Sequence, residues 1–501
     1  MDAEGSDGKA GGVMSEATEK NIQAMRALLG DTTLSQRLNA TRIAVVTPPD
    51  ELSESGKLVA IALADVLARL WPNIDFSGAG AELQLAGAVN ATTSGGGIGD
   101  GMRIQWMPPY DCIVAIGCDF QEIACPVLQV GADGWTVSFG PGARCGSSSN
   151  PIGPAFAAAI AGAQVFHRVF ESELSGLGAV HIEMFSIDIR TLFDASYLDV
   201  VPLDLAETHV FGVGAVTHGL AWLLEHWPQP VRGQLHLVDQ DKYGKSNGQR
   251  YAFMRPQDVG VDKVDAVGVR IRSAHPGLVV SPHVLDLNTY CSTRGYENPL
   301  RRIITGLDSA EARRHAALKL PEHVINMWTE GVRIGAGRYL PENENACLAC
   351  DYLEDTSIPL DEVAQLFQQT GIRPDHIRSL LDSGRGLNEQ EAVSIAARWS
   401  VQPSEFVGQP LRSVMPALCA TGRLKLPNNA EAVDVPFAFS SLLAGISGFM
   451  MLLKDYFNRT NMSCGWTQHI FKKPTSHMHS LRYARAECVC CTEVKNIRAN
   501  A

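Results

Sequence analysis

The sequence predicts an α/β protein built from two tandem Rossmann-like halves, and three features carry that prediction. Short apolar runs alternate with longer amphipathic stretches through both halves, the pattern of a mostly parallel sheet covered by helices. A glycine turn, Gly212-Val-Gly214, joins a strand to a helix in the second half. Segments of the first half recur in the second in the same order, as a duplicated unit would.

The first half reads as a helix over 15–29, a strand over 42–46, a helix over 55–70, strands over 111–117 and 135–139, a turn over 147–151 and an Ala-rich helix over 154–171. The stretch 92–101 is Gly-rich and reads as a flexible loop. Residues 1–22 read as a tail, the first fifteen of them acidic, Gly-rich and disordered, with no apolar core of a signal peptide. The second half reads as strands over 208–211, 234–238, 278–285 and 302–305, with helices over 215–226, 261–274 and 309–319. From 351 to 435 the pattern changes to short, Pro-punctuated helices without strand alternation, an inserted helical region. The uncharged run 435–453 is barely long enough to span a bilayer. Its Ser440, Ser441, Ser447, Gly445 and Gly448, with Glu431 and Asp434 just before it, favour a helix buried inside an α/β domain.

Bulk properties narrow the function. At roughly 150 residues per domain, 501 residues make about three domains. A net charge of −12 argues against nucleic acid or an anionic membrane as partner, since both select basic patches. With no secretion signal, a cytoplasmic location is expected, and the 12 cysteines point to metal or thiol chemistry rather than disulfides.

The duplication is visible in two matched segments. Residues 156–166 align with 439–449, sharing Phe156 with Phe439, Phe166 with Phe449, and the central Ala161-Gly162 with Ala444-Gly445. Residues 114–119 parallel 303–308, pairing Gly117 and Asp119 with Gly306 and Asp308. The copies differ after their first strands. The first half has Thr47-Pro48-Pro49-Asp50-Glu51, where prolines remove backbone donors and carboxylates repel phosphate. It keeps a nucleotide-binding shape without a nucleotide site.

In the second half, a Gly-rich turn brings backbone N–H groups close to a phosphate, and an acid ending the next strand, Asp239, can hold a ribose. Asp241, Asn247, Arg250 and Lys263 follow. Arginine and lysine there suit a triphosphate. Each piece alone is weak: a Gly-x-Gly is more often a tight turn, and Asp239 would serve a dinucleotide dehydrogenase equally well. Order and spacing together carry the reading.

Gly212-x-Gly214, Asp239-x-Asp241, Ser246-Asn247-x-Gln249-Arg250, Val259-Gly260-x-x-Lys263 and Gly306-Leu-Asp308-x-x-x-x-Arg313 resemble the ubiquitin-activating enzyme superfamily. The resemblance is strong over 206–350 and 436–491 and weaker over 23–205. It implies two tandem Rossmann-like adenylation domains, the second with an inserted helical region and a zinc knuckle. The inactive domain would span 23–205. The active one would span 206–350 and 436–501, interrupted by a catalytic-cysteine insertion at 351–435. The layout is closest to the activating enzymes of bacterial ubiquitin-like conjugation operons. The family implies ATP and Mg²⁺ as cofactors. Gly212, Gly214 and Asp241 would line the nucleotide site, Asp239 would bind the ribose, and Asn247, Arg250 and Lys263 the phosphates. Asp308 would hold Mg²⁺ beside the attacked α-phosphate. An arginine from the partner domain would match Arg37. Thr217 stands where the third glycine is expected.

Cys347-Leu-Ala-Cys350 and Cys488-Val-Cys490-Cys491 form a pair of knuckles suited to tetrahedral Zn²⁺, with Cys347, Cys350, Cys488 and Cys491 as ligands and Cys490 able to exchange with its neighbours. As nucleophile for an acyl thioester, Cys419 fits best. It lies in the helical insertion, beside Ala420, Thr421 and Gly422, with Arg423 and Lys425 near enough to favour a thiolate. A packing cysteine is the plain alternative, and Cys464 and Cys291 are the next candidates. The expected partners are a ubiquitin-like protein and a conjugating-type enzyme. Rival readings are a sulfur-carrier adenylyltransferase without a thioester step, a dinucleotide oxidoreductase, and a scaffold with a dead nucleotide fold.

Overall fold

The computed structural model describes residues 16–29, 34–78, 102–103, 109–121, 125–175, 179, 181–295, 300–341, 344–353, 366, 370–383, 385–399, 402–411, 437–459, 461–475 and 479–492. The loop expected at 92–101 and the candidate nucleophile Cys419 lie outside them.

The first half opens with helices α1 (Glu16–Leu29) and α2 (Leu34–Ala40), so helix begins inside the stretch expected as a tail. Then follow β1 (Arg42–Val46), α3 (Glu54–Ala68), β2 (Asn73–Ser77), β3 (Met102–Arg103), β4 (Cys112–Ile116), β5 (Val127–Asp133), β6 (Thr136–Phe139), α4 (Ile152–Val169) and β7 (Phe185–Asp188). The second half runs β8 (Leu203–Phe211), α5 (Ala215–Glu225), β9 (Val231–Val238), α6 (Lys263–Ala274), β10 (Leu278–His283), α7 (Leu287–Arg294), β11 (Arg302–Thr305), α8 (Ala310–Ala317), β12 (His323–Glu330) and β13 (Arg333–Tyr339). After helices α9 (Pro374–Ser383) and α10 (Glu389–Trp399) it resumes with α11 (Ala438–Phe457), β14 (Cys464–His469) and β15 (His479–Leu481).

The sheets have one topology. Their orders are β3-β2-β1-β4-β5-β6-β7 and β10-β9-β8-β11-β12-β13-β14-β15. Each half has a parallel part made of its first four strands plus one more, then an antiparallel meander. The long helix follows the hairpin in both, α4 between β6 and β7 and α11 between β13 and β14. The matched segments 156–166 and 439–449 therefore occupy equivalent places. The sheets are more mixed than the alternation suggested, because tight turns at Gly134 (φ +60°) and Gly331 (φ +55°) fold β5–β6 and β12–β13 into hairpins.

A shared apolar core joins the halves. The Phe166 ring of α4 lies 4.9 Å from Phe437 and 5.9 Å from Phe439. Small residues make the approach possible: a Cβ on Gly162 would sit 2.7 Å from Val66 Cγ1 and 3.4 Å from Phe439 Cβ. On α11, a Cβ on Gly445 would meet Val216 O of α5 at 2.5 Å. Helix α11 is, among the described residues, the one helix long and apolar enough to cross a membrane, and its apolar window is wholly buried. Its end carries charges that tie strands and halves together. Asp455 accepts from Arg302 Nε (2.7 Å) and Arg338 Nε (3.0 Å) and pairs with His323 (2.7 Å), while Lys454 Nζ donates to Phe193 O (2.6 Å). Helices α9 and α10 pack around a small core of their own, including Ile377, Leu380, Ile395 and Phe406.

Candidate functional site

Strand β8 ends at Phe211, and Gly212 turns the chain with φ +83°. A Cβ there would lie 3.0 Å from Gly306 O, so the turn needs glycine for both conformation and space. Gly214 caps α5 without a side chain, and no acid stands in the helix's first turn. Its leading N–H groups are therefore open to an anion. Thr217, at the place of a third glycine, donates its hydroxyl to Gly212 O (2.6 Å). The close approach is met from the other side, where a Cβ on Gly306 would come within 2.3 Å of Thr217 Oγ1. Gly306, at the end of β11, leaves room for the Thr217 side chain.

Asp239 directly follows β9 and accepts from Val213 N (2.7 Å) and Asp241 N (2.8 Å), which fixes its carboxylate at the turn. Lys263 opens α6, is 4% exposed, and reaches Asp241 Oδ2 at 2.8 Å and Asp239 Oδ1 at 4.0 Å. Burial pushes the Lys263 ammonium down, but Tyr251 and the two aspartates outweigh it and hold it above its ordinary value. Burial also raises the Asp239 carboxyl, against Lys263 and the two backbone donors. The Tyr251 ring lies 5.5 Å from both Arg250 Cζ and Lys263 Nζ, a shared face that orients two cations.

A cavity of about 540 Å³ brings Gly212, Gly214, Asp239, Asp241, Arg250, Lys263 and Asp308 together. It also takes in Tyr251, Asp286, Asn288, Arg313 and Trp328, to which the sequence reading gave no role. Arg313 closed the Gly306-Leu-Asp308 motif, and that spacing was its signal; Asp286, the N-cap of α7, had only its place after a strand. Arg313 Nη2 donates to Leu307 O (2.5 Å), and its guanidinium covers Tyr352 at 5.1 Å. Asn247 is not among the lining residues. Its Oδ1 accepts from Gly244 N (2.9 Å) and closes the one-turn helix Lys245–Gln249. Arg37 lies apart from the cavity on α2, paired with Glu173, donating to Val169 O (2.8 Å) and covering Phe170 at 4.6 Å. It braces its own half. The cavity thus sets cations and open helix amides against several carboxylates, the donor set of a metal-bound polyphosphate.

A second groove of about 820 Å³ adjoins the cavity, sharing Arg313, Trp328 and Thr329 and running past Arg333, Arg482 and Tyr483.

The cysteine knuckles meet across 141 residues. Cys347 Sγ lies 3.5 Å from Cys488 Sγ and 3.9 Å from Cys350 Sγ, and Cys350 Sγ lies 3.4 Å from Cys491 Sγ. The sulfurs of Cys347, Cys350, Cys488 and Cys491 all fall within 4.8 Å of one another, and all four residues are buried. Zinc–sulfur bonds of about 2.3 Å in a tetrahedron need sulfurs about 3.8 Å apart, so the donor set fits Zn²⁺. Arg485 N donates to Cys350 Sγ (3.5 Å), a contact suited to a metal-bound thiolate. Cys291 and Cys464 are buried, in α7 and at the start of β14, and burial pushes both thiols up.

The ThiF family matches residues 203–485. The chain is 30% identical over 409 residues to the uncharacterized protein y4jF of Sinorhizobium fredii (strain NBRC 101917 / NGR234), covering 78% of each. Among solved structures it is similar to E. coli MccB with MccA-N7isoASN, at 14% identity and a TM-score of 0.34 over 57% of this chain and 67% of that one. It is also similar to PaaA, at 15% identity and a TM-score of 0.32 over 56% and 73%. The chain belongs to the ThiF family, and with it to the ubiquitin-activating enzyme superfamily: it has the fold of an ATP-dependent carboxylate adenylyltransferase.

Proposed function

We propose that this ThiF-family chain activates the C-terminal carboxylate of a ubiquitin-like protein with ATP, holds the acyl group on Cys419, and passes it to a conjugating-type enzyme. One observation carries the first step: the cavity that joins the open N-terminus of α5 to Asp239, Arg250, Lys263 and Asp308. In this reading Asp239 takes the ribose. The α5 amides, Arg250 and Lys263 take the phosphates, and Asp308 would hold a Mg²⁺ ion, which would supply positive charge against the leaving pyrophosphate. A carboxylate oxygen attacks the α-phosphorus, the bond to pyrophosphate breaks, and an acyl-adenylate remains. The groove past Arg313, Arg333 and Arg482 gives an extended polypeptide tail a path to that point. Four cysteines, Cys347, Cys350, Cys488 and Cys491, would hold Zn²⁺ as a clip between the end of β13 and the C-terminal segment, a stabilising role remote from the chemistry.

In the second step the Cys419 thiolate attacks the acyl carbon and AMP departs. The burial of Cys291 and Cys464 supports Cys419, since a buried, neutral thiol is a poor nucleophile. One observation favours the alternative, an adenylyltransferase of the sulfur-carrier type that stops at the adenylate: among the described residues no cysteine lines the cavity. ATP–pyrophosphate exchange with candidate carrier proteins, followed by non-reducing electrophoresis, separates the two. The proposal expects carrier-dependent exchange and a thiol-sensitive adduct, with Cys419→Ala losing the adduct and keeping exchange within about twofold of wild type, since the first half-reaction uses no thiol. An adduct that survives in Cys419→Ala moves the nucleophile elsewhere. Exchange with no adduct in the wild type leaves the sulfur-carrier reading.

A further inference from the structure

We infer that the first half sets the phosphate-facing wall of the cavity through a buried clamp formed by Asp65 and Arg69 at the end of α3. Asp65 is fully buried, and its carboxylate is saturated. It accepts from Arg69 Nε (3.0 Å) and Nη2 (3.0 Å), from Arg255 Nη1 (2.9 Å) and from Phe253 N (2.7 Å). Arg69, 5% exposed, donates across the junction to Gly248 O (2.7 Å) and Met254 O (2.9 Å). These contacts grip the second half on both sides of Arg250 and Tyr251, the pair that lines the cavity.

The gripped segment does not relax into this shape unaided. Phe253 has φ +68°, a left-handed backbone that large side chains rarely adopt. Two contacts hold it there: its N–H points at Asp65, and its ring stacks on Trp222 at 5.0 Å. Asn21 of α1 ties the clamp from behind, with Nδ2 donating to Arg69 O (2.5 Å). Burial drives the Asp65 carboxyl up, but Arg69, Arg255 and the Phe253 N–H outweigh it and keep it below its ordinary range, so the clamp stays ionised. Neither Asp65 nor Arg69 lines the cavity. They are positioning residues that act through Arg250, and the inference rests on the reading of Arg250 as a phosphate contact.

The test uses the full chain carrying Arg69→Met, Arg69→Lys or Arg255→Met, with folding checked by thermal melting. Calorimetry then measures binding of MgATP and, separately, of adenosine. MgATP affinity should fall about tenfold or more in Arg69→Met and by less in Arg255→Met, which leaves Asp65 paired with Arg69. Adenosine affinity should stay within about twofold, because Asp239 and the glycine turn are untouched. Arg69→Lys should bind MgATP poorly, since one ammonium cannot span the carboxylate and two carbonyls. Unchanged MgATP affinity in folded variants overturns the inference, as does equal loss of MgATP and adenosine, which signals general loosening. If Arg69→Met does not fold, Arg255→Met decides. If the wild type binds no MgATP, the proposed function is what fails. Hydrogen exchange then still judges the clamp: residues 248–255 should exchange faster in Arg255→Met, and unaltered exchange overturns it.

Discussion

The two halves share a strand order and differ in what they do with their polar groups. In the first, α3 begins with Ser53, whose hydroxyl accepts from Gly56 N (3.3 Å), and Ser55 N is taken by Gly146 O (3.2 Å). Asp119, the counterpart of Asp308, accepts from Gly142 N (3.0 Å) and pairs with Arg144. Thr47 fills the space beside the end of β2, so that a Cβ on Gly78 would fall 1.9 Å from its Oγ1. In the second half, α5 has no side-chain cap, and among the described residues no hydrogen bond or ion pair holds the Asp308 carboxylate. The first half engages these groups within its own fold; the second leaves the α5 amides and the Asp308 carboxylate open at a cavity. Binding capacity here comes from polar groups withheld from the fold, a local departure from internal satisfaction of the kind expected at functional sites.

That contrast breaks most directly at the paired aspartates. Asp308→Ala should lower ATP–pyrophosphate exchange by about a thousandfold with the melting temperature little changed, because in the proposed function this carboxylate would hold the metal that faces the leaving pyrophosphate. Asp119→Ala should leave exchange within about twofold, since its loss opens a surface ion pair and one exposed backbone contact away from the cavity. Equal rates in the two variants would overturn the proposal that one half works and the other is silent.

The four-cysteine cluster sharpens the comparison, because it belongs to the second half. Elemental analysis should find zinc bound to the chain. Replacing Cys347 and Cys350 together with Ser should remove the metal and lower the melting temperature by about 10 °C or more, as binding energy is also folding energy. Metal-free protein with unaltered stability would return these cysteines to simple packing.

The smallest effect comes from a matched pair of glycines, since Gly142 and Gly212 both have φ +83°. A Cβ on Gly142 meets nothing within 4 Å, so Gly142→Ala should cost about 1 kcal/mol of stability through its backbone and leave nucleotide binding alone. Gly212→Ala adds contact with Gly306 O and distorts the turn that leads into α5, and it should weaken MgATP binding by about fivefold to tenfold. Similar binding by both variants would remove the turn from the nucleotide site.

Much of this site was legible in the sequence. Gly212, Gly214, Asp239, Asp241 and Lys263 lie on a strand–turn–helix path where sequence neighbours are spatial neighbours, and the cavity gathers them. Cys347 with Cys350, and Cys488 with Cys491, are pairs set by spacing. The hairpins at Gly134 and Gly331 were announced by Asp-Gly and Glu-Gly but passed over in favour of a more parallel sheet. Asn247 was read by motif as a phosphate contact, yet its carboxamide closes a turn, a choice that depends on which donor lies nearest. Arg37 was assigned to the cavity by position in the chain, but Glu173 and Phe170 draw it into its own half.

The sequence by itself determined the fold class, the duplication, the glycine turn and both cysteine pairs, because each is written in short-range periodicity or in the spacing of a few residues. The tertiary structure decided which residues of one half act on the other. Asp65 and Arg69 look like an ordinary helical ion pair four residues apart, and nothing nearby in the chain points to Gly248, Phe253 or Arg255. Their partners lie 179, 188 and 190 residues away, and the burial that makes such contacts strong exists only after the two sheets have packed.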